Sequence, residues 1–342
     1  MKLTSRELQQ FEREQDDYDQ LLTTIRHPPA PWGSDRLEIT CIGNTGGGLS
    51  VLRGRPCGGF LLRHAGRTII VDPGDNVIAY LTNYGFNPFD LTDVLASHAH
   101  NDHVGDLSLA ISAAINLNLP EECDGHVIVA PSLIDYSNAS STQFGFTLPA
   151  YSWLADVQPL YIKDIETKRF DGKVIRAKQE MQISPDIKVR ATEARHGQVL
   201  VTGFVIETEM GRIGYTSDTE YFDGLSDWYR DVDLLWMNMN TLSLDAVVPA
   251  DRDPAHYEEP VHNHLGYVGV CRLIDEVRPK TAIVSHLGSQ IERRRAAIEE
   301  LLRQRFAPQG VTVFCPGSGD SYVFKSALSK PPFQQRFQPW PS

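Results

Sequence analysis

The sequence has few cysteines, and none of them forms a recognisable metal-binding or disulfide pattern. Five occur in 342 residues, and no two have CxxC spacing. An odd, scattered set argues against a disulfide framework and a thiolate metal site, and it indicates a reducing compartment. The sequence also lacks an apolar run of membrane-spanning length, and its first residues lack the apolar segment of a secretion signal. We therefore expect a cytoplasmic protein without a membrane partner.

Positive charge is also scarce. Asp and Glu number 44 against 32 Lys and Arg, which gives a net charge of −12. Long-range repulsion therefore opposes binding to long polyanions such as RNA or DNA. The remaining composition, with 41% hydrophobic and 22% charged residues, is ordinary for a globular protein. The composition thus disfavours a nucleic-acid-binding protein, and the function has to be inferred from the motifs.

The chain divides into three parts. Apolar residues recur at three-to-four spacing over residues 4–26, which predicts an amphipathic helix that ends before Pro28. We assign residues 1–35 to an N-terminal helical extension, residues 36–328 to one main domain and residues 329–342 to a C-terminal tail. The helix either packs on the main domain or meets a second subunit, and we expect a homodimer.

Three segments of the main domain lack the regular spacing of apolar residues that predicts a helix or a strand. The glycine cluster Gly43–Gly48 follows a predicted strand but lacks GxGxxG spacing, and we expect no helix after it. We interpret it as a loop whose backbone runs close to the core or to a substrate phosphate. Residues 133–165 are predicted to form a surface insertion beside the site. The acidic, proline-containing residues 242–263 are predicted to form a loop that acts as a lid.

The stretch from Leu95 to His103 concentrates metal-ligating side chains directly after an apolar strand. His98 and His100 share one face because side chains two residues apart on a strand point the same way. Asp102 and His103 form a second set after the turn. One metal ion cannot use four ligands so closely spaced, but two ions a few ångströms apart can. The motif therefore predicts a dinuclear centre that activates water for hydrolysis.

Other polar residues also follow apolar strands, and strand ends on one edge of a sheet converge in space. The predicted ligands of the first ion are His98, His100 and His196, those of the second are Asp102, His103 and His286, and Asp218 bridges the two. Imidazole and carboxylate ligands without thiolate favour two zinc ions, with manganese or iron as alternatives. We expect Asp72 to bond nearby amides or brace the metal loop. The hydroxyl residues Ser217, Thr219 and Ser285 are predicted to orient the imidazoles.

The HxHxDH motif and its partners resemble the metallo-β-lactamase superfamily over roughly residues 37–325. The resemblance implies an α/β fold, an αββα sandwich of two mixed β-sheets flanked by helices, and a metal-dependent hydrolase. One subclass of true β-lactamases has a thiolate where this chain has Asp218, which disfavours that subclass.

The segment from His264-Leu265-Gly266 to Ser285-His286 resembles the C-terminal part of tRNase Z and of the phosphodiesterase branch. The resemblance implies that His264 contacts the scissile phosphate and acts as general acid. A metal-bridging hydroxide would be the nucleophile, and Asp102 and Asp218 would hold the bridge. His262 is the competing candidate for the catalytic histidine.

The sequence departs from tRNase Z at one motif. Those enzymes carry His-Glu-Ala-Thr, whose acid partners the catalytic histidine, where this chain reads Met237-Asn238-Met239-Asn240-Thr241. Asn238, the predicted substitute for the glutamate, cannot transfer a proton. Together with the negative charge, this favours a small phosphodiester, and a cyclic nucleotide in particular, as in the cyclic-nucleotide-degrading relatives that include anti-Pycsar enzymes.

Three alternatives stay open. A lactonase or carboxyl-ester hydrolase would use the same metals, would not need His264, and would place an acyl chain near Tyr151 and Trp153. A tRNA 3′-processing endonuclease would retain the phosphodiester chemistry. A binding protein with a relict site is disfavoured because every predicted ligand position is filled.

Overall fold

The computed structural model describes Arg13 and residues 36–114, 125–134, 156–168, 174–197, 199–242, 264–325 and 333–336. Apart from Arg13, the predicted N-terminal helix lies outside the described residues, as do residues 135–155 of the predicted insertion and residues 243–263 of the predicted lid. In the part of the chain that is described, no helix is long and apolar enough to cross a bilayer.

The described part of the chain contains twenty β-strands and six α-helices. The first ten strands are β1 (Arg36–Cys41), β2 (Thr45–Gly46), β3 (Phe60–His64), β4 (Arg67–Val71), β5 (Asp93–Ala96), β6 (His126–Val129), β7 (Asp156–Pro159), β8 (Glu166–Lys168), β9 (Val174–Arg176) and β10 (Glu180–Ser184). The others are β11 (Ile187–Glu193), β12 (Thr202–Thr208), β13 (Gly211–Tyr215), β14 (Leu234–Thr241), β15 (Leu265–Gly266), β16 (Thr281–Ser285), β17 (Leu287–Gly288), β18 (Thr312–Phe314), β19 (Asp320–Lys325) and β20 (Phe333–Arg336). The helices are α1 (Gly48–Leu52), α2 (Val77–Asn83), α3 (Asn101–Val104), α4 (Leu107–Ala114), α5 (Tyr267–Val277) and α6 (Arg295–Phe306).

Two mixed sheets carry the fold. The first has the order β20-β19-β1-β3-β4-β5-β6-β7, and the second has the order β10-β11-β12-β13-β14-β16-β18, with β15 added beside β14. The strands β4 to β7 run parallel to one another, as do β13, β14, β16 and β18. Each parallel set ends at one edge of its sheet, so the residues that follow these strands are brought together there.

The core lies between the two sheets. Phe60 of the first sheet packs against Tyr215 and Trp236 of the second, with ring centroids 5.4 and 4.6 Å away. The outer face of the first sheet packs against α2 and α4, and that of the second packs against α5 and α6. The predicted αββα sandwich is therefore confirmed.

Two local features differ from the expectations. A short helix, α1, does follow the glycine cluster, so the prediction that no helix opens there was wrong. Gly47 turns the chain with a φ of 84°, and the Ser50 hydroxyl donates to the Gly46 carbonyl at 2.9 Å, which closes the first turn. Within the predicted tail, the strand β20 pairs with β19 and extends the first sheet. Four of the five cysteines are buried and unpaired.

Candidate metal centre

Asp72 organises the loop that carries the histidine motif. It follows β4 with a φ of 50°, and its Oδ1 accepts a hydrogen bond from the Ser97 amide at 2.6 Å. Its Oδ2 accepts from the Ser97 hydroxyl at 2.7 Å, His103 Nδ1 at 2.8 Å and the Tyr215 hydroxyl at 2.6 Å. Four hydrogen bonds compensate for a strained backbone and fix the start of the loop relative to both sheets. Asp72 therefore both bonds a backbone amide and braces the loop.

The first donor set contains His98, His100, His196 and Asp218. His100 Nδ1 lies 3.1 Å from His98 Nε2 and 3.0 Å from His196 Nε2. The carboxylate atom Asp218 Oδ2 lies 3.8 Å from each of the Nε2 atoms of His98 and His196. Ligand atoms about 3.4 Å apart are what a tetrahedral ion with bonds of about 2.1 Å requires. The geometry thus fits one divalent cation.

The second donor set contains Asp102, His103, Asp218 and His286. His286 Nε2 lies 3.0 Å from His103 Nε2 and 3.1 Å from Asp102 Oδ2. Asp218 contributes Oδ2 at 3.2 Å from His103 Nε2 and Oδ1 at 3.5 Å from His286 Nε2. All seven residues predicted as ligands therefore come together, and Asp218 belongs to both sets.

The donor atoms of the second set are close enough to one another to share a cation. His103 Nδ1 meets the Asp72 carboxylate, which in the neutral imidazole places the proton on Nδ1 and leaves the Nε2 lone pair for a cation. In addition, the carboxylates of Asp72, Asp102 and Asp218 are all buried. Burial lowers the pKa of His103, but these carboxylates outweigh it and hold that pKa well above its usual range. The site therefore requires positive charge, which divalent cations supply.

Burial also favours the ligating form of the first set. It lowers the pKa of His98 well below the usual value, and it lowers the pKa of His100 as well. For Asp218, burial raises the pKa, but the imidazoles of His286 and His103 outweigh it and the net shift is strongly downward. The imidazoles of His98 and His100 are thus neutral and the shared carboxylate is ionised, as metal ligands must be.

The side chains that orient the ligands differ from those predicted. Ser97 Oγ lies 3.0 Å from His98 Nδ1, and Asp72 holds His103. Ser217 reaches the site only through Ser97, to whose hydroxyl it donates at 2.6 Å. The hydroxyl of Thr219 accepts from the Arg195 amide and that of Ser285 from the indole of Trp236. The prediction that these three hydroxyls orient the imidazoles was therefore wrong for Thr219 and Ser285, whereas Ser217 acts on His98 through Ser97.

The glycine cluster lies directly against the second donor set. The Gly47 amide donates to Asp102 Oδ2 at 2.5 Å. A β-carbon on Gly46 would lie 2.0 Å from Cε1 of His286, so only glycine leaves room for that ring. The strand β2, which contains Gly46, also pairs with β17, the strand that follows His286. The loop thus forms one wall of the site.

His264 lies at the rim of the donor sets. His264 directly precedes β15, and this strand pairs with β14. The His264 side chain is 18% exposed. Its ring centroid is 4.7 Å from that of His196 and 5.5 Å from that of His286, and Nδ1 lies 3.4 Å from Asp218 Oδ2. Burial lowers the pKa of His264 to about 3 against the opposing effect of Asp218. The competing candidate, His262, lies outside the described residues.

Two asparagines of β14 have separate partners at the site. Asn238 Nδ2 donates to Asp218 Oδ1 at 2.9 Å and to the Tyr215 hydroxyl at 3.1 Å. Asn240 Nδ2 lies 3.3 Å from His264 Nε2. Asn240 is thus the residue beside His264, and the expectation that Asn238 lies there was wrong. Because both side chains leave the same face of one strand, the sequence pattern could not separate them.

A family model described as the beta-lactamase superfamily domain matches residues 67–287. An uncharacterised protein of Methanocaldococcus jannaschii is 23% identical over 256 residues, which cover 74% of this chain and 84% of that protein. Three solved structures are similar in fold. The metallo-beta-lactamase fold protein YhfI from Bacillus subtilis is 18% identical, with a TM-score of 0.59, and the match covers 84% of this chain and 100% of that one. Human tRNase Z in its short form is 14% identical (TM-score 0.53, 81% of this chain and 95% of that one), and a diphosphatase of the PhnP family is 13% identical (TM-score 0.50, 85% of this chain and 98% of that one).

Proposed function

Since the chain belongs to the beta-lactamase superfamily and is a metal-dependent hydrolase of the metallo-β-lactamase fold, we propose that it hydrolyses a phosphodiester in a small or cyclic nucleotide. One observation carries this proposal. His264 Nδ1 is buried, has no hydrogen-bond partner among the described residues, and faces Asp218 Oδ2 at 3.4 Å. The seven ligands complete two donor sets without His264, so its free nitrogen is available to the substrate.

We assign one divalent cation to each donor set. His98, His100 and His196 would hold the first, Asp102, His103 and His286 the second, and Asp218 would contact both. We favour zinc, with manganese or iron as alternatives, because the donors are imidazole and carboxylate. When bound, such ions polarise phosphoryl oxygens and lower the pKa of water to about 7.

His264 is proposed to donate the proton to the leaving oxygen. Asn240 Nδ2 lies 3.3 Å from Nε2, so Nδ1 is the ring nitrogen that faces the centre of the site. A phosphate anion beside the ring favours its charged form and opposes the burial that lowers the pKa to about 3. In this charged form the ring donates the Nδ1 proton to the leaving oxygen and returns to its neutral form.

Asp102 and Asp218 are proposed to hold the geometry during the reaction. The Gly47 amide fixes Asp102 at 2.5 Å, and Asn238 fixes Asp218 at 2.9 Å. Each carboxylate thus has a dedicated donor that leaves its remaining lone pairs for a cation. Preorganised carboxylates need little rearrangement as charge develops on the substrate.

Two observations support a small phosphodiester. The net charge of −12 opposes a long polyanion, and Asn240 stands where a tRNase Z glutamate would contact the histidine. The relatives of similar fold include a tRNase Z and a diphosphatase, which are enzymes of phosphate chemistry. The homodimer, the cytoplasmic location and the division at residues 35 and 328 stay predictions.

The test is a substrate panel on the metal-loaded protein. We expect hydrolysis of bis-p-nitrophenyl phosphate and of at least one cyclic mono- or dinucleotide, with little turnover of acyl-lactones. Hydrolysis of the lactones alone, undiminished in a His264→Ala variant, would replace the proposal with the lactonase. The residues predicted to form its acyl channel, Tyr151 and Trp153, lie outside the described residues.

A further inference from the structure

Three consecutive arginines follow the last predicted ligand, and each has a different environment. Arg295 Nη1 donates to the Cys315 carbonyl at 2.6 Å and anchors the start of α6. Arg293 lines a cavity that also contains Arg55 and Glu292. Arg294 lines a separate cavity on the side of β14. A turn fixes this arrangement, because the Arg294 amide donates to the Ile291 carbonyl at 2.8 Å.

The cavity beside Arg294 adjoins the proposed metal centre. Its volume is about 530 Å³, and Asn240 and Gly288 are among the residues that line it. Asn240 contacts His264 Nε2 at 3.3 Å, and Gly288 lies two residues after the predicted ligand His286. A β-carbon on Gly288 would lie 2.1 Å from Asn240 Oδ1, so only glycine leaves room for this amide. A substrate at the centre can therefore extend into the cavity.

The lining of the cavity favours an anion. Its polar side chains are Asn240, Thr241, Ser289, Gln290 and Arg294, and no carboxylate lines it among the described residues. Arg294 makes no ion pair with any residue that the structure describes. In the neighbouring cavity, by contrast, Glu292 lies 3.6 Å from Arg55 and balances part of the charge.

We propose that this cavity binds the part of the substrate beyond the scissile phosphate and that Arg294 pairs with a second phosphate there. This inference rests on the proposed function and narrows its substrate class to nucleotides with two phosphates, such as dinucleotides or nucleoside bisphosphates. The volume lies within the range of small-molecule sites, about 300–1,000 Å³. The guanidinium group suits a phosphate because it can form two parallel hydrogen bonds with it.

Calorimetric binding to the metal-loaded protein tests the inference without turnover. We expect thymidine 3′,5′-bisphosphate to bind about tenfold more tightly than thymidine 5′-monophosphate, as one charge-assisted hydrogen bond allows. Arg294→Ala should abolish this preference and Arg294→Lys should retain part of it. The matched control Arg293→Ala should keep it. A preference that survives in Arg294→Ala, or is lost equally in Arg293→Ala, overturns the inference, as does its absence from the unmodified protein.

Hydrolysis separates this inference from the proposed function. The substrates are thymidine 5′-(4-nitrophenyl phosphate) and the same compound with a 3′-phosphate, with kcat/KM measured for the unmodified protein and the Arg294→Ala variant. If binding depends on Arg294 but neither compound is hydrolysed, the assignment of the cavity stands and the phosphodiesterase proposal is rejected. Hydrolysis of both compounds with the same ratio in the two proteins supports the phosphodiesterase and rejects the role of Arg294.

Discussion

Asn238 donates its side-chain amide to Asp218 Oδ1 at 2.9 Å, and this bond fixes the one carboxylate that belongs to both donor sets. Asn238→Ala should therefore lower metal affinity about 10- to 100-fold, as loss of a group that orients a ligand does. A competition titration with a chromogenic zinc chelator measures it. The control is Asn87→Ala, which removes an exposed side chain whose hydrogen bonds are to Phe89 and Asp90. Equal affinities in the two variants would contradict the role of Asn238.

Gly46→Ala should empty the second donor set and leave the first intact. The new β-carbon would lie 2.0 Å from Cε1 of His286, so this ring has to move away. We expect metal content, measured by elemental analysis after dialysis, to fall from two ions per chain to one. Gly48→Ala is the matched control, because a β-carbon there meets no atom within 4 Å. Retention of both ions in Gly46→Ala would show that His286 does not hold one.

His264→Ala should reduce kcat and preserve the metals. Loss of a general acid typically costs about 10²- to 10⁴-fold in rate, and His264 belongs to neither donor set. The comparison is kcat on the cyclic nucleotide that the substrate panel identifies, whose alkoxide leaving group needs the proton, together with metal content. Loss of both ions in this variant would refute the assignment. Variants at the ligands, such as His98→Ala, should instead abolish turnover together with metal binding.

Removal of metal should destabilise the fold, because it leaves the buried carboxylates of Asp72, Asp102 and Asp218 without compensating cations. Free zinc at 100 times its dissociation constant should restore about 2.7 kcal/mol of unfolding free energy. Thermal unfolding after chelation and after zinc addition measures this. An Asp218→Ala variant should show a much smaller zinc-dependent rise in Tm. A Tm independent of metal in the unmodified protein would contradict the proposed centre.

Arg67 and Asp93 form a buried ion pair away from the metal centre, and this pair should make the free energy of unfolding depend on pH. Arg67 Nη2 donates to Asp93 Oδ1 at 2.6 Å, and Nε donates to Oδ2 at 2.9 Å. Burial raises the pKa of Asp93, but hydrogen bonds from His126 and Arg67 outweigh it, and the net pKa is lowered. The folded pKa is thus below the unfolded value of about 3.9. The resulting stabilisation is complete above that value and is lost as the pH falls through the folded pKa.

Arg67→Met should therefore cost about 3–5 kcal/mol at neutral pH, since it removes the cation that pairs with a buried carboxylate. In this variant the loss of stability between about pH 5 and pH 2 should shrink, because Arg67 no longer helps His126 to hold down the pKa of Asp93. Urea unfolding across this range measures both effects. The control is Arg230→Met, which breaks an exposed pair with Asp227. Parallel pH profiles for the two variants would contradict the account.

The sequence predicted the features that depend on local pattern and on where strands end. The HxHxDH motif is contiguous, and His196, Asp218 and His286 each follow a strand whose apolar residues are evident. What it could not resolve depends on contacts between distant residues. Whether Asn238 or Asn240 meets His264 is decided by the close approach of Gly288, 48 residues further along the chain. The roles of Ser97 and Asp72 likewise depend on how β4 and β5 lie side by side.

Asp72 directly follows β4 of the first sheet and accepts a hydrogen bond from the hydroxyl group of Tyr215, which belongs to the second sheet. The same carboxylate oxygen also accepts from His103, so the bond that joins the two layers and the bond that orients a metal ligand end on one atom. If the two sheets separate at this edge, Asp72 also moves away from His103, whose imidazole it orients. Local separation of the sheets should therefore reduce turnover before the protein unfolds.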